Sequence, residues 1–558
     1  MALLVALAGF LGLGLVLAAP AAAHATVASA DPADGSRLQR APSSVTITFD
    51  EGVTLGRVGY LHVTDQTGAR VDTGAASQPG GDQTRIRDML RSGLGDGTYT
   101  ASFRVVSADS HPVAGTIRFV VGDGALVRGS VGASGGNGVT ESVMDVARWI
   151  SYAGLALLGG VWLLLTVWPE GRDDRRARRF AWTGWAVTGV GALAEALLQG
   201  PYTAGAGPQR LFDPSLVDAT LHTDYGQLHS ARLLLLGLLG LIFAVSLRVD
   251  ARPAPWEGIA GLLGIGIAAT FSAAGHPGTT SPTTLSIVLD MLHLLAMATW
   301  VGALVMLLGA VLPRREPAEL RRVVPVVSTV AFTSVVVLAV TGSYNAWRGV
   351  GTIHAVFTTT YGLLVVGKVV LFVGLLAVAA VSRRVVRTKL ARPRLAYANT
   401  DTAETEVEDS PSDVDTERLR RGVFVEVVVA LVVLGLTAVL VARPRGKEDL
   451  AQQYREPVSA STTLGGGRTV TVTADPGTHG NVDLTVDVSG GARLTGVTAN
   501  ATQTAKRIGP VPVRLTRASA LTYDGTAPLT VAGPWRIDLV VSTSEFDAVT
   551  TAVTLTLH

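Results

Sequence analysis

The chain has 558 residues, enough for several domains, with a mean hydropathy of +0.38, 16% charged residues and a formal net charge of +2. That is too apolar for an ordinary soluble protein of this length, and the small net charge gives no reason to expect a nucleic-acid partner. There are no cysteines, which excludes disulfides, thiolate zinc sites, iron–sulfur clusters and CxxC copper(I) sites; a metal must bind through nitrogen, oxygen or one of six methionine thioethers.

Residues 1–23 are one apolar run ending in Ala21-Ala22-Ala23. They read as a secretory signal cleaved before His24, although no Lys or Arg precedes the run. Residues 24–122 carry short alternating stretches, such as Val45-Thr-Ile-Thr-Phe49 and Gly115-Thr-Ile-Arg-Phe-Val-Val121, punctuated by Gly, Pro, Asp and Ser. This pattern predicts a small β-sandwich. Residues 123–144 begin Gly/Ser-rich and read as a flexible linker.

Residues 145–442 contain eight apolar stretches, near 145–168, 180–200, 228–247, 256–274, 286–312, 322–343, 360–381 and 422–442. Each is long enough to cross a bilayer, which takes roughly 20 residues. Lys and Arg number five in 171–179, two in 246–255, four in 312–322 and nine in 382–421. The alternate loops 201–227, 275–285 and 343–359 hold one, none and one. Twenty against two is a clear positive-inside signal. It predicts a multi-pass protein of a bacterial cell membrane, with the regions before 145 and after 442 both extracytoplasmic. Residues 395–417 are acidic and polar and read as a disordered cytoplasmic loop. Residues 455–558 alternate again and predict a second external β-sandwich.

The ten histidines (24, 62, 111, 222, 229, 276, 293, 354, 479 and 558) all fall outside or in the outer half of the membrane on this topology. The strongest grouping is His24 with Asp109-Ser-His111. Cleavage before His24 leaves an α-amine and an imidazole on one residue, and that amine holds its proton weakly near neutral pH. Asp109 and His111, two apart on an extended segment, point to one side. A nitrogen-rich, oxygen-completed set suits Cu(II). His111 before Pro112 also reads simply as a strand-end residue.

The stretches HATVASADPADGSRLQRAPSSVTITFDEGV and GTYTASFRVVSADSHPVAGTIRFVVG closely resemble the CopC family of periplasmic copper-binding proteins, across essentially all of residues 24–122. The resemblance implies an immunoglobulin- or cupredoxin-like Greek key and makes His24, Asp109 and His111 the Cu(II) ligands. The Met-rich Cu(I) site of many relatives is missing, since this region holds only Met89. His62 matches no ligand of the motif. The membrane region is similar to the CopD family of copper-resistance and copper-uptake proteins. The residues carrying that similarity are Ala274-Gly-His276-Pro, Asp290-Met-Leu-His293 with Trp300-Val-Gly302, Thr341-Gly-Ser-Tyr-Asn345 and Thr360-Tyr-Gly-Leu-Leu-Val-Val-Gly-Lys368.

Ionisable groups inside a membrane are costly and usually functional. Asp290, His293 and Met297 share one helical face. With His276 and His229 they form the candidate membrane metal site, facing outward. Glu195, Arg232, Tyr344, Asn345 and Lys368 fall on the same outer level. A structural network, for example Glu195 paired with Lys368, is the alternative. The inner half offers little beyond Glu426. No Walker A sequence or phosphorylated-Asp signature is present, so the chain is expected to bind and carry copper rather than act as an enzyme. Its partners are the copper ion and the lipid bilayer. Two other functions fit the same pattern: a membrane haem-binding electron carrier, with His229 and His293 as axial ligands, and a non-transporting copper buffer or sensor.

Overall fold

The computed structural model describes residues 25–55, 59–108, 110–122, 136–246, 254–275, 283–314, 316–385, 413–455, 457–464, 467–490, 494–543 and 547–558. The proposed signal, most of the linker, the acidic loop up to 412, and three candidate ligands, His24, Asp109 and His276, lie outside the described residues.

The N-terminal domain is two antiparallel-rich sheets. β1 (Val27–Asp31), β3 (Ser44–Phe49) and β6 (Arg85–Met89) make one, in the order β1-β3-β6. β2 (Ser36–Leu38), β8 (Pro112–Val121), β7 (Gly97–Ser107) and β4 (Val53–Thr54) make the other, with β5 (Tyr60–Thr64) also paired to β7. The period-2 pattern turns Val45, Ile47, Leu61, Val63, Ile86, Phe103 and Phe119 into the space between the sheets, where each is almost wholly buried. β7 and β8 form a long hairpin in which Val106 pairs with Pro112. Its tip carries Ser110 and His111.

Ten helices follow among the described residues: α1 (Gly138–Val167), α2 (Arg175–Ala204), the short α3 (Pro214–Leu221), α4 (Asp224–Ser246), α5 (Ala254–Ala274), α6 (Thr283–Met306), α7 (Pro317–Val350), the short α8 (Ile353–Thr358), α9 (Thr360–Val385) and α10 (Asp413–Val441). Among the described residues, seven are long and apolar enough to cross a membrane: α1, α4, α5, α6, α7, α9 and α10. α2 is as long as α1, but its Thr, Gly and Trp content and Glu195 lower its hydropathy.

The helices outrun the apolar stretches. α1 begins at Gly138, inside the segment expected to be linker, because the Asn137 side chain accepts the Thr140 N–H at 3.1 Å and caps a polar first turn. α10 likewise begins at Asp413, inside the expected disordered loop. Apolarity marks where a helix meets lipid, whereas capping marks where it starts.

α1 runs through the middle of the bundle against α2 and α6. Gly160 and Gly302 meet where α1 crosses α6, so closely that a Cβ on either would overlap the other's backbone. The upper end of the bundle faces the N-terminal domain. The lower half is filled by Leu164, Trp168, Ala181, Phe243, Met306 and Val323. At the lower end Arg314 bonds Asp174 and Glu319, Arg172 pairs with Glu257, and Arg322 with Glu170.

After α11 (Gly446–Arg455) come eight strands: β9 (Val458–Leu464), β10 (Arg468–Asp475), β11 (Gly480–Ser489), β12 (Gly496–Gln503), β13 (Ile508–Arg517), β14 (Thr522–Leu529), β15 (Gly533–Ser542) and β16 (Ala548–Leu557). They form one sheet, β16-β15-β12-β13-β14-β11-β10-β9, rather than the two separate sheets of the expected sandwich. The cause is β13, which pairs with β12 through one stretch and with β14 through the other, and so bridges the halves. The edge strands β9 and β16 run beside each other, giving a barrel-like closure around Trp535, Ile537 and Leu539. His558 helps close it: its carbonyl accepts from the His479 backbone N–H at 3.0 Å and ring Nδ1 at 2.8 Å, and its ring stacks on Tyr454.

Candidate functional site

The β7–β8 tip is a tight, conformationally restricted turn. The Ser110 N–H donates to the Ser107 carbonyl, and the Ser107 N–H to the His111 carbonyl, each at 2.9 Å. Ser110 adopts φ 70°, a left-handed conformation uncommon for a residue with a Cβ. Pro112 then fixes the start of β8. His111 is 8% exposed, which places its ring within the protein surface rather than on it. His62 sits elsewhere on the domain, stacked on Tyr60 and 3.8 Å from Asp72.

This turn rests on the upper end of α2. Gln199 Nε2 donates to the Ser110 carbonyl at 2.8 Å. Arg104 Nε, on β7, donates to the Thr203 carbonyl at 2.6 Å. The His111 ring meets Tyr202 edge-on, with centroids 6.4 Å apart. Burial pulls the Arg104 guanidinium below its ordinary pKa. A charge is therefore partly desolvated in order to make this junction.

Beneath the junction lies a layer of buried polar groups. Arg148 of α1 packs over the Tyr202 ring and pairs with Asp145 at 3.3 Å. One turn further down, Ser151 donates to Glu195 Oε1. Gly191 permits this approach, since a Cβ there would strike Ser151. On α4, His229 Nδ1 donates to the Tyr225 carbonyl at 2.9 Å, which directs Nε2 at Glu195 Oε2, 3.3 Å away. Arg232, 1% exposed, places one guanidinium nitrogen 3.1 Å from His229 Nε2 and 3.8 Å from Glu195 Oε2. Its other edge bonds the Thr270 hydroxyl at 3.0 Å and the Thr270 carbonyl at 3.1 Å, and it lies 3.5 Å over the Phe271 ring.

A second group stands on α6, α7 and α9. Asp290 Oδ1 accepts from Asn345 Nδ2 at 3.3 Å, and His293 Nδ1 lies 2.9 Å from the Thr341 hydroxyl. A Cβ on Gly342 would come within 3.2 Å of the His293 ring, so this glycine makes room for the imidazole. Lys368 is within electrostatic range of both Asp290 and His293. Tyr152, next to Ser151 and 5.6 Å from the Phe271 ring, lies in the field of both Glu195 and Asp290.

The expected membrane ligands are therefore divided. Asp290 and His293 share a level, as their spacing predicts, but Met297 belongs to the apolar core. His229 joins Glu195 and Arg232 instead. Among the described residues no three His, Asp or Glu side chains converge as a preformed metal site. The suggested Glu195–Lys368 pairing is not what the structure shows: Arg232 is the cation beside Glu195, 3.8 Å away, and Lys368 lies in the field of Asp290. The expectation treated Arg232 only as one polar residue among several. Its i+3 spacing from His229 was the available signal. A cavity of about 530 Å³ lies lower, near Trp162, Trp256 and Phe243, with none of the polar layer in its walls.

Three family models match successive parts of the chain: the CopC domain over residues 27–122, the copper resistance protein D-like N-terminal domain over 139–281, and copper resistance protein D over 321–440. The chain is a CopC–CopD fusion. It is 29% identical to the copper transport protein CutJ of Bacillus subtilis over 386 residues, which is 66% of this chain and 70% of that protein. It is 34% identical over 112 residues to copper resistance protein C of Pseudomonas syringae pv. tomato, covering 19% of this chain and 88% of the relative. The crystal structure of CopC from Methylosinus trichosporium OB3b aligns with 18% of this chain and 93% of its own, at 26% identity and a TM-score of 0.17. In this CopC–CopD fusion the His111 turn belongs to the CopC part. α1, α2 and α4 fall in the D-like N-terminal match, and most of α7, with α9 and α10, in the D match.

Proposed function

We propose that this protein captures Cu(II) outside the cell and passes it into an outward-facing site in the membrane bundle, for uptake or resistance. His24, Asp109 and His111 hold the ion in the CopC domain, after signal cleavage frees the His24 amine. α2 acts as the eighth span, so that both β-domains stand on the extracytoplasmic side, in keeping with the positive-inside charge pattern. One observation carries this reading: the turn bearing His111 is seated on the upper end of α2, directly above the buried polar layer. Copper released there enters the bundle without crossing bulk water. Asp290, His293 and the Glu195–His229 pair are the polar groups that would receive it.

The test is copper-dependent accumulation in cells expressing His293→Ala. Accumulation is expected to fall roughly tenfold, the scale of losing one metal-binding group, while Cu(II) affinity at the CopC site of the purified chain stays unchanged. Unchanged accumulation in a well-expressed variant removes the transport role and leaves a copper buffer. The geometry gives the haem reading no support, because His229 is committed through both ring nitrogens to Tyr225, Glu195 and Arg232.

A further inference from the structure

Glu195 Oε2 and His229 Nε2 face each other 3.3 Å apart, with the Arg232 guanidinium beside both. With Nδ1–H committed to the Tyr225 carbonyl, neutral His229 presents the Nε2 lone pair to the carboxylate. Two acceptors 3.3 Å apart in a buried site repel unless positive charge lies beside them. Here Arg232 supplies it, through a single nitrogen.

We propose that Glu195 and His229 form a Cu(II) entry site which Arg232 occupies in the resting protein, and that arriving copper displaces the Arg232 guanidinium. This rests on the reading that the bundle accepts copper. Three features of the geometry support it. First, ligand atoms about 2.0–2.1 Å from a common ion stand roughly 2.8–3.4 Å apart at tetragonal or tetrahedral angles. The Nε2–Oε2 separation of 3.3 Å stands at the tetrahedral end of that range and would close by a few tenths of an ångström for tetragonal coordination. Second, a backbone carbonyl on the far ring nitrogen is the usual support of a metal-binding histidine. Third, Arg232 can yield without being stranded. The Thr270 hydroxyl, the Thr270 carbonyl and the Phe271 ring hold its other edge, and none of them belongs to the entry site.

Tyr225 stacks on His229 with centroids 4.0 Å apart, and its buried hydroxyl has no hydrogen-bond partner among the described residues. It lies in the field of both Glu195 and Arg148. The nitrogen and oxygen donors select Cu(II) over softer Cu(I). Arg232 also raises the threshold for entry, because a weakly attracted cation cannot expel a tethered guanidinium from its carboxylate.

The experiment is Cu(II) titration of the full-length protein in lipid nanodiscs, in a His24→Ala, His111→Ala background that removes both imidazoles of the proposed CopC site, followed by electron paramagnetic resonance. Arg232→Met is expected to bind one additional Cu(II) at least tenfold more tightly than the Arg232 protein, with an imidazole nitrogen in its spectrum. Arg232→Lys, which keeps the cation, is expected not to gain it. The gain is expected to vanish in Arg232→Met combined with His229→Ala or with Glu195→Gln. A folded Arg232→Met protein with no gain, or a gain that survives His229→Ala, overturns the proposal. Should Arg232→Met not fold, the Arg232 protein decides: Glu195→Gln and His229→Ala must each weaken its residual Cu(II) binding at least tenfold, and unaltered binding overturns the proposal. These are binding measurements, so they stand or fall separately from cellular accumulation.

Discussion

Gln199 of α2 donates its side-chain N–H to the backbone carbonyl of Ser110, 2.8 Å away, across the junction between the CopC domain and the bundle. The acceptor belongs to the turn that carries His111, and the donor lies one turn beyond Glu195 on the same helix. Gln199 thus ties the turn to the helix that carries Glu195, beside the Arg104–Thr203 and His111–Tyr202 contacts.

Removing that contact should loosen the junction without altering the CopC fold. Gln199→Ala gives up one hydrogen bond, worth about 0.5–1.5 kcal/mol. Amide exchange at Ser107 and Ser110 of the turn, read in the full-length chain, is expected to rise with Gln199→Ala, and copper accumulation to fall with it. Unchanged exchange would show that Gln199 does not hold the turn in place.

The crossing of α1 and α6 should tolerate no side chain. Gly160→Val forces a branched group into the backbone of Gly302. Overpacking costs about 1–3 kcal/mol where neighbours can move, and here the neighbour is backbone. Gly237→Val, at a position where a Cβ meets nothing within 4 Å, is the control. Thermal unfolding in detergent should show a large loss for the first variant and little for the second.

Asp72 should make the CopC domain sensitive to acid. Burial raises its pKa, but the Arg70 side chain and the Val63 N–H, 2.9 Å from Oδ1, outweigh burial and hold the carboxyl below its ordinary value. A depressed folded-state pKa gives stability that is full above the unfolded value, about 3.9, and is lost as pH falls through the folded one. Asp72→Ala is expected to cost about 1–3 kcal/mol at neutral pH, largely by orphaning the Val63 N–H. The gap to the unmodified protein should narrow below about pH 4. Hydrogen exchange of the β5 amides against pH reads both effects in the intact chain.

Trp535 should be the keystone of the C-terminal barrel. It is fully buried and donates Nε1–H to the Val531 carbonyl at 2.8 Å. Trp535→Ala is expected to cost about 3–5 kcal/mol. Amide exchange should rise throughout β12, β15 and β16 and stay unchanged in α1 and α6.

Patterns with a short period were legible in the sequence. Alternation at Val45, Ile47 and Phe49 predicts a sandwich strand, and long apolar runs predict the helices. The spacing of Asp290 and His293 places them on one level. Closure of the C-terminal sheet was not legible, because inward alternation is the same for two facing sheets and for one sheet curled on itself; the difference lies in the double pairing of β13. Helix starts were hidden for a similar reason, since Asn137 and its cap are polar and read as linker. The Glu195–His229–Arg232 grouping joins residues on two helices, and sequence separation says nothing of which helices touch. That choice was made by small residues, Gly191 against Ser151 among them, whose part becomes visible only once the backbones are in place.

The bare contact of Gly160 with Gly302 has a consequence for motion. With no side chain between them, α1 and α6 cannot slide along each other without backbone colliding with backbone. One helix carries Arg148, Ser151 and Tyr152, and the other carries Asp290 and His293, so the floor of one polar group and the wall of the other move as a single body. Any switch in the accessibility of the layer must then come from helices swinging about this pair. α9, which holds Lys368 in the field of Asp290, packs mainly on α10 and has the least buried membrane window of the described spans.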